Sequence, residues 1–386
     1  MTDSEKHLHI ISFDIPFPAN YGGVIDVFYR IKYLSECGLK IHLHCYEYGR
    51  NHCHPKELDN LCFSVDYYDR AEGFGKMFSR LPYIVNSRCS KQLVDNLAKD
   101  TYPIFIEGLH CCMLLNEPRL KGRRMYVRMH NVEHDYYSGL SKVETNWLKK
   151  LYLKLEVPRL RRFEAVLSKA TGIFAITPKD MEYFSAGYRN VHLLPPSLRQ
   201  NNVCSKVGSG TYVLFHGQLS VPENYDAVKY LAKEVFAHTS LTLKVAGLNP
   251  PKHLERLLSN YANIELIKNP SDNEMTNLVQ NAHVNLLLTK QSTGLKLKLL
   301  NSLFNGRFCV VNETMVEGTN LGNLCILFDK PSDLVAKLED LFTVDFKAEE
   351  LQRREVFFQK YYSNIDSGRT IVENIYSNTG QDVDLL

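Results

Sequence analysis

Phe308-Cys309-Val310-Val311 is a continuous apolar run of strand length, and it follows a helix-patterned stretch closed by Asn305-Gly306. A strand that is apolar on both faces and is reached through a helix belongs in a parallel sheet covered by helices, so this stretch commits its part of the chain to α/β architecture. Upstream, Leu295, Leu299, Leu300, Leu303 and Phe304 recur at helical spacing after Gly294. Gly294 lets the backbone approach a ligand closely, and the unpaired N–H groups of the helix start form an anion site beside Lys296 and Lys298. In a parallel sheet this corner falls at the carboxyl edge, where ligands sit. The plainer alternative is an amphipathic helix whose lysines are only solvated.

The same alternation recurs along the 386 residues, which are enough for two domains with separate cores. In the first half, strands are expected at 7–13, 41–46, 104–107, 125–129, 172–176 and 191–194. Asn20-Tyr21-Gly22-Gly23 lies between the first strand and an amphipathic helix at 24–37. The paired glycines read either as a phosphate-binding corner or as a tight turn. His130 follows strand 125–129, where it would touch a substrate or be satisfied by loop backbone. The proline-rich, polar segment LPPSLRQNNVCSKVGSG lacks periodicity and reads as a linker, placed at 199–210. A second set follows, with strands at 212–216, 241–246, 264–267, 284–288, 308–311 and 324–328. Its helices are expected at 223–238, 252–258, 273–281, 331–342 and near 348–362. Gly217 marks its first turn, and Ser220-Val221-Pro222-Glu223 reads as a capping box.

Charge is nearly balanced, with 46 basic and 43 acidic residues, which argues against a dedicated nucleic-acid binder. The first residues do not read as a secretory signal, and no run approaches the roughly 18 apolar residues of a membrane span. Ten scattered cysteines without zinc-type CxxC pairs suit a reduced, cytoplasmic protein. The histidines of HLHCYEYGRNHCH are expected to be satisfied at the surface rather than to bind metal: His42 and His44 lie on one face of a strand, and His52 and His54 lie in the loop after it. Residues 145–169 form a basic amphipathic helix, bent at Pro158. Trp147, Leu148, Leu151, Leu155, Leu160, Phe163 and Leu167 recur at helical spacing, and Lys149, Lys150, Lys154, Arg159, Arg161 and Arg162 take the polar positions. A core-packed helix with a solvated face is the first expectation; a helix resting on an anionic membrane surface is the second.

Four motifs, taken in order, resemble those of the GT-B glycosyltransferases, most closely the retaining enzymes of family 4: IPFPANYGGVIDVFYRIKYL, RMHNVEHDYYSGL, FHGQLSVPENYDAVKYL and STGLKLKLLNSLFNGRFCVVNETMVEGTNL. The resemblance spans nearly the whole chain. It implies two facing Rossmann-like domains with a cleft between them: 1–198 on the acceptor side, and 211–350 binding the nucleotide sugar. Terminal helices at 351–386 would pack back toward the first domain. By the same resemblance, Gly22 and Gly23 approach the donor diphosphate, His130 lies beside the transferred sugar, and Tyr21 and Glu133 stand on the acceptor side. Gly217 opens the donor loop, Gly294 adjoins it, and Lys298, helped by Lys296, neutralises the leaving diphosphate.

Two departures from the family pattern stand out. The family's two glutamates correspond here to Thr293 and Asn301, and Gln218-Leu219-Ser220-Val221 holds no basic residue. A neutral amide binds a ribose diol less strongly than a carboxylate does.

The implied reaction is metal-independent transfer of a hexosyl-type sugar, with retention, from a UDP- or GDP-linked donor to a hydroxyl. No cofactor beyond the donor is expected. The acceptor would be a saccharide, a lipid-linked saccharide or a protein, in bacterial polysaccharide or glycoconjugate assembly, at the inner face of the cytoplasmic membrane. No nucleic-acid partner is expected. The alternatives are a nucleotide-sugar epimerase on the same fold, and a non-catalytic sugar-nucleotide-binding or partner subunit.

Overall fold

The computed structural model describes residues 5–19, 22–47, 54–71, 73, 79–144, 146–200, 202–291 and 294–376. The chain forms two compact units. One joins the residues up to Arg199 with those from Tyr361 onward, and the other is Gln200–Lys360.

The first unit is built on β1 (His7–Ser12), β2 (Lys40–Glu47), β3 (Ser64–Asp69), β4 (Ile104–Glu107), β5 (Met125–Met129), β6 (Gly172–Ala175) and β7 (Val191–Leu193). Among the described residues these make one parallel sheet in the order β3-β2-β1-β4-β5-β6-β7. The sequence reading did not anticipate β3: SVDYYD is polar, and it is held as a half-exposed edge strand by its pairing with β2. In β4, β5 and β6 every residue is buried, Glu107 and Arg128 included, and these two are register partners.

Helix α1 (Gly22–Glu36) starts on the paired glycines themselves, so they are its first turn and not a corner ahead of it. A Cβ on Gly23 would come within 2.7 Å of the Phe13 ring, so a hydrogen there allows the helix to close on the end of β1. Two more helices follow, α2 (Glu133–Val143) and α3 (Trp147–Glu164). Helix α3 runs through Pro158 without interruption and divides in character. Leu160 and Phe163 are buried, but Trp147 is 71% exposed and Leu148, Leu151 and Leu155 are each about half exposed. The expectation of a core-packed helix therefore fails over its first half.

The histidines are also placed otherwise than expected. His7 and His9 on β1 meet His42 and His44 on β2 in a hydrogen-bonded ladder, with 2.9 Å both between His7 Nδ1 and His42 Nε2 and between His9 Nδ1 and His44 Nε2. His9 and His44 are buried, because parallel pairing of β1 with β2 stacks their side chains on one covered face. Asp100 lies 3.1 Å from His9 Nε2, and Tyr68 Oη lies 2.8 Å from His44 Nδ1. Residues 52 and 53 lie outside the described residues, whereas His54 bonds Glu47 at 3.0 Å and stacks on Tyr67.

In the second unit, β8 (Val213–Gln218), β9 (Leu243–Leu248), β10 (Ile264–Lys268), β11 (Val284–Leu287), β12 (Phe308–Asn312) and β13 (Ile326–Phe328) form a parallel sheet in the order β10-β9-β8-β11-β12-β13. Helix α4 (Pro222–Tyr230) follows β8, and α5 (Leu297–Asn305) joins β11 to β12. A Cβ on Gly247 would lie 1.8 Å from the Gly217 carbonyl oxygen, so the ends of β8 and β9 can pair this closely only through a glycine. The unit closes within α6 (Ala348–Tyr361), at Lys360, and the buried Arg354 of that helix binds the carbonyls of Leu303, Gly306 and Arg307 and ties down the end of α5.

The last helix, α7 (Asn364–Tyr376), belongs to the first unit. Tyr376 Oη donates to the His7 carbonyl at 2.6 Å, and Tyr126 Oη donates to the Asn374 carbonyl at 2.9 Å. In each sheet the strand order reverses once, between β1 and β4 and between β8 and β11. Loops diverge at such a reversal and leave a crevice at the carboxyl ends of the strands.

Candidate functional site

At the reversal of the first sheet, two strands and α1 bring charged side chains together. Asp26 and Arg30, one turn apart on the buried face of α1, meet at 2.5 Å. Arg30 Nε donates to Glu107 Oε1 at 2.8 Å, and Arg128 Nη2 donates to Asp26 Oδ2 at 3.1 Å. Arg128 also donates to the Leu194 carbonyl, and the Ser197 N–H donates to Asp26 Oδ1 at 2.7 Å. Two carboxylates and two guanidiniums therefore balance inside the unit, as buried charges must.

Burial alone would raise the Asp26 carboxyl, but Arg30, Arg128 and His130 overcome it and hold the group at about 2. Burial likewise opposes ionisation of Glu107, and Arg30 with His130 outweighs it and pulls the carboxyl below its usual range. His130 closes the cluster. Its Nε2 is 2.9 Å from Glu107 Oε2, its Nδ1 is 3.7 Å from Asp26 Oδ2, and 11% of the side chain remains open to solvent. The loop histidine is thus oriented by two carboxylates, not by loop backbone.

Glu133 opens α2 and is buried. Burial pushes its carboxyl up to about 8 against an opposing hydrogen bond from Asn131, so it is protonated at neutral pH. The acceptor-side assignment made for it therefore lands on an uncharged, enclosed carboxyl that acts on its surroundings from beneath the surface. Tyr21 lies outside the described residues.

The second cluster occupies the reversal between β8 and β11. Helix α5 begins at Leu297, two residues later than expected, so Lys296 is its N-cap and Lys298 stands in its first turn. Gly294 has φ +66, the left-handed conformation that favours glycine. Lys298 Nζ donates to Asn224 Oδ1 at 3.2 Å and to the Leu288 carbonyl at 3.4 Å, and lies 5.7 Å above the Phe215 ring. Burial lowers its pKa, while the Glu223 carboxylate pulls the other way. Burial and then the Lys298 charge hold His216 down at about 3, so this imidazole is neutral where it contacts Ser302 Oγ at 3.1 Å.

Glu223 does not form the expected capping box, and Val221 is the N-cap of α4, without a side-chain cap. Its carboxylate is engaged across the crevice instead, by the Thr289 hydroxyl and by the Lys290 N–H at 2.8 Å. A capping box does form at Ser271 and Glu274. A Cβ on Gly217 would come within 3.1 Å of Asn224 Nδ2, which keeps that loop tight. Lys296 Nζ reaches the Gly294 carbonyl at 3.4 Å. Asn301 Oδ1 accepts from Asn305 Nδ2 at 2.9 Å. Thr293 lies outside the described residues.

The structure thus gathers Lys298, Lys296, Gly294, Gly217 and Asn301 in the second unit, and Gly22, Gly23 and His130 in the first. Sequence reasoning missed Asp26, Arg30, Glu107, Arg128, Glu223 and Asn224. The signal for the first four was present: a carboxylate and a guanidinium four residues apart on an apolar helix face, and charged residues inside the strands IFIE and MYVRM.

Two α/β units, each built on a parallel sheet, share the GT-B fold of solved glycosyltransferases. The Anabaena protein HepE, solved in complex with UDP and glucose, superposes with a TM-score of 0.63 at 10% identity, over 96% of this chain and 99% of its own. A glycosyltransferase from Rickettsia africae gives 0.63 at 11% identity, over 97% and 100%. In sequence, the chain is 25% identical over 327 residues to an uncharacterized 44.6 kDa protein in the cps region of Klebsiella pneumoniae, covering 80% of this chain and 84% of that one. No protein-family model matches the chain.

Proposed function

We propose that the protein is a glycosyltransferase that moves a hexosyl-type sugar, with retention, from a UDP- or GDP-linked donor to a hydroxyl acceptor, without a metal. One observation carries this reading: the Lys298 amine, enclosed by Asn224, the Leu288 carbonyl and Phe215, stands in the first turn of a helix at the reversal of the second sheet. A fixed cation and helix N–H groups in a partly dehydrated place stabilise the charge that develops on a departing diphosphate, and they need no reorganisation as it forms.

The acceptor hydroxyl attacks from the face the diphosphate leaves, and a departing phosphate oxygen takes its proton. In the first unit we propose His130, held by Glu107, as the residue for the sugar contact. The fold shared with a protein crystallised with UDP and glucose supports the donor class. The resemblance to a protein of a cps region supports a role in polysaccharide or glycoconjugate assembly. The test is a transfer assay with UDP- and GDP-sugars: Lys298→Ala should lower turnover about 10²- to 10³-fold with an unchanged melting temperature. Turnover equal to the unmodified protein would sink the assignment.

A second reading, a subunit that binds a sugar nucleotide without transferring it, is favoured by Asn301, which offers an amide where an acid is expected. Stabilisation by UDP or GDP with no transfer to any acceptor would select it.

We propose that the first half of α3 rests on a membrane surface. Trp147, Leu148, Leu151 and Leu155 are exposed beside Lys149, Lys150 and Lys154, a pairing of apolar and cationic groups that fits an anionic lipid surface. Among the described residues no helix is long and apolar enough to cross a membrane. We propose, on the charge and exposure of this stripe, a location in the cytoplasm at the inner face of the membrane. Sedimentation with anionic but not neutral vesicles, lost on Lys149→Glu with Lys150→Glu, is the expected result.

A further inference from the structure

The first turn of α4 carries a second side chain, beside Glu223, whose partners lie on other elements. Asn224 is half-buried, and both ends of its amide are engaged: Oδ1 accepts from Lys298 Nζ at 3.2 Å, and Nδ2 donates to the Gln218 carbonyl at 3.0 Å. One side chain thus joins the lysine of α5 to the end of β8. The amide has one workable orientation, because turning it over would set its N–H₂ against an ammonium and its oxygen against a carbonyl.

The backbone is shaped around this amide. A Cβ on Gly217 would meet Nδ2, Cγ and Oδ1 of Asn224 at 3.1, 3.2 and 3.3 Å, so the amide lies flat over the glycine. A larger residue at 217 would push the amide aside, and the lysine would lose its acceptor. Val228 and Leu231, on the same helical face as Asn224, are buried in the core of the second unit, so the amide is presented from an element that cannot roll to follow a ligand.

Lys298 needs such a partner. An ammonium on a four-carbon stem swings unless acceptors hold it, and a carboxylate acceptor would hold it but cancel its charge. Among the described residues its hydrogen-bond acceptors are the Asn224 amide and the Leu288 carbonyl, both uncharged, and the Phe215 ring lies under it. Glu223 attracts the ammonium from the neighbouring position, but its Oε1 is taken by the Thr289 hydroxyl and the Lys290 N–H. His216, also beside the lysine, is neutral. The ammonium is therefore fixed in place with its charge still open to an anion.

We propose that Asn224 is a positioning residue of this site: it aims the charged Lys298 ammonium at the place where the diphosphate of a donor binds, and ties that place to Gly217 and Gln218. The inference rests on the reading of Lys298 as the cation that meets the diphosphate, and adds the residue through which the lysine is held. An amide suits the position for a physical reason. An apolar side chain would leave the ammonium to swing, and a carboxylate would neutralise it and repel the ligand.

Binding to the full chain, read by calorimetry, tests this without requiring turnover. The probes are UDP, GDP, inorganic diphosphate and the nucleosides uridine and guanosine. Asn224→Ala should weaken inorganic diphosphate, and the nucleotide that the chain takes, by about tenfold, the loss expected when a charge-assisted contact is misplaced, and should leave the matching nucleoside unchanged. With Lys298→Ala already present, Asn224→Ala should change nucleotide affinity less than about twofold, because a residue that acts through the lysine has nothing left to act on. Asn224→Asp, close in size, keeps the acceptor but neutralises the ammonium, and should weaken inorganic diphosphate at least about tenfold.

Equal losses with and without Lys298, a parallel loss of nucleoside affinity, or diphosphate affinity unchanged in both Asn224 variants overturns the proposal. Folding of each variant is read from its unliganded melting temperature, and if Asn224→Ala melts early, Asn224→Asp decides. Failure of the underlying reading is seen separately. Affinity for nucleotide and diphosphate that does not depend on Lys298 overturns both, whereas dependence on Lys298 without dependence on Asn224 overturns this proposal alone. Binding that depends on Asn224 through Lys298, with no transfer to any acceptor, upholds the positioning role and selects the non-transferring subunit.

Discussion

His130 Nε2 lies 2.9 Å from Glu107 Oε2, so an imidazole that reaches solvent at the edge of the first sheet is anchored to a carboxylate that has none. Position and charge are divided between the two residues. Glu107 also holds Arg30 at 2.8 Å, and Arg30 holds Asp26, so the anchor is part of the buried structure while the imidazole is its exposed end.

This division predicts separable effects. Glu107→Gln leaves Arg30 under-neutralised inside the unit and should cost about 3 kcal/mol, seen as an earlier urea midpoint. His130→Asn should cost less than about 1 kcal/mol and yet lower sugar transfer at least about tenfold. Equal stability losses for the two variants would show that the imidazole is structural.

Glu223 is expected to position Lys298 through the loop it grips. Glu223→Gln keeps one acceptor for the Lys290 N–H but removes the charge that supports the lysine. Donor KM should rise about tenfold with a smaller change in kcat, because the loop is loosened before the chemistry is touched. A fall confined to kcat would place Glu223 in the transition state instead.

The histidine ladder makes stability depend on acid. Burial holds His9 down at about 4, against the pull of Asp100, and holds His44 well below its ordinary value. In the unfolded chain these groups titrate near 6.5, so as pH falls the unfolded state takes up protons first. Stability is therefore full above about 6.5 and declines as pH falls toward 4, by about 3 kcal/mol for His9 alone. Urea midpoints measured from pH 7.5 to 4 should show the decline, and His9→Asn should be less stable at pH 7.5 but with a shallower slope. An unchanged slope would remove His9 from the account.

Glu133 works in the opposite direction. Its carboxyl is pushed up to about 8 by burial, so the folded state holds a proton that the unfolded chain releases near 4.5. Its contribution is intact below about 4.5 and is lost as pH rises through 8. Glu133→Gln, neutral at every pH, should raise stability by a few kcal/mol at pH 8.5 and leave it nearly unchanged at pH 5, as read by melting temperature. No gain at the higher pH would contradict the protonated state.

Helix α3 should respond to substitution by halves. Leu151→Ser and Leu155→Ser, at exposed positions, should each shift stability by less than about 0.5 kcal/mol. Leu160→Ala, at a position with no exposure, should cost about 2–5 kcal/mol. A large loss at Leu151 in dilute solution would mean that the stripe is covered by protein.

The sequence by itself determined the architecture, because that information is local. Short apolar runs such as Phe308-Cys309-Val310-Val311, alternating with helical periodicity, leave a parallel α/β sheet as the way to bury both faces of each strand. The glycine at 294 and the lysines after it were legible for the same reason, as a chain feature read within a few residues.

The tertiary structure decided what depends on partners distant along the chain. Lys298 is meaningful through Asn224 and Glu223, more than seventy residues away, and His130 through Glu107 and Asp26 on another strand and a helix. Which half of α3 faces the core, and whether His44 is on the surface or within, are likewise questions of what packs against them, and a periodic pattern reports a face without naming its neighbour. Burial then set the charges: an identical carboxyl is ionised at Glu107, where guanidinium and imidazole neighbours meet it, and protonated at Glu133, where desolvation prevails.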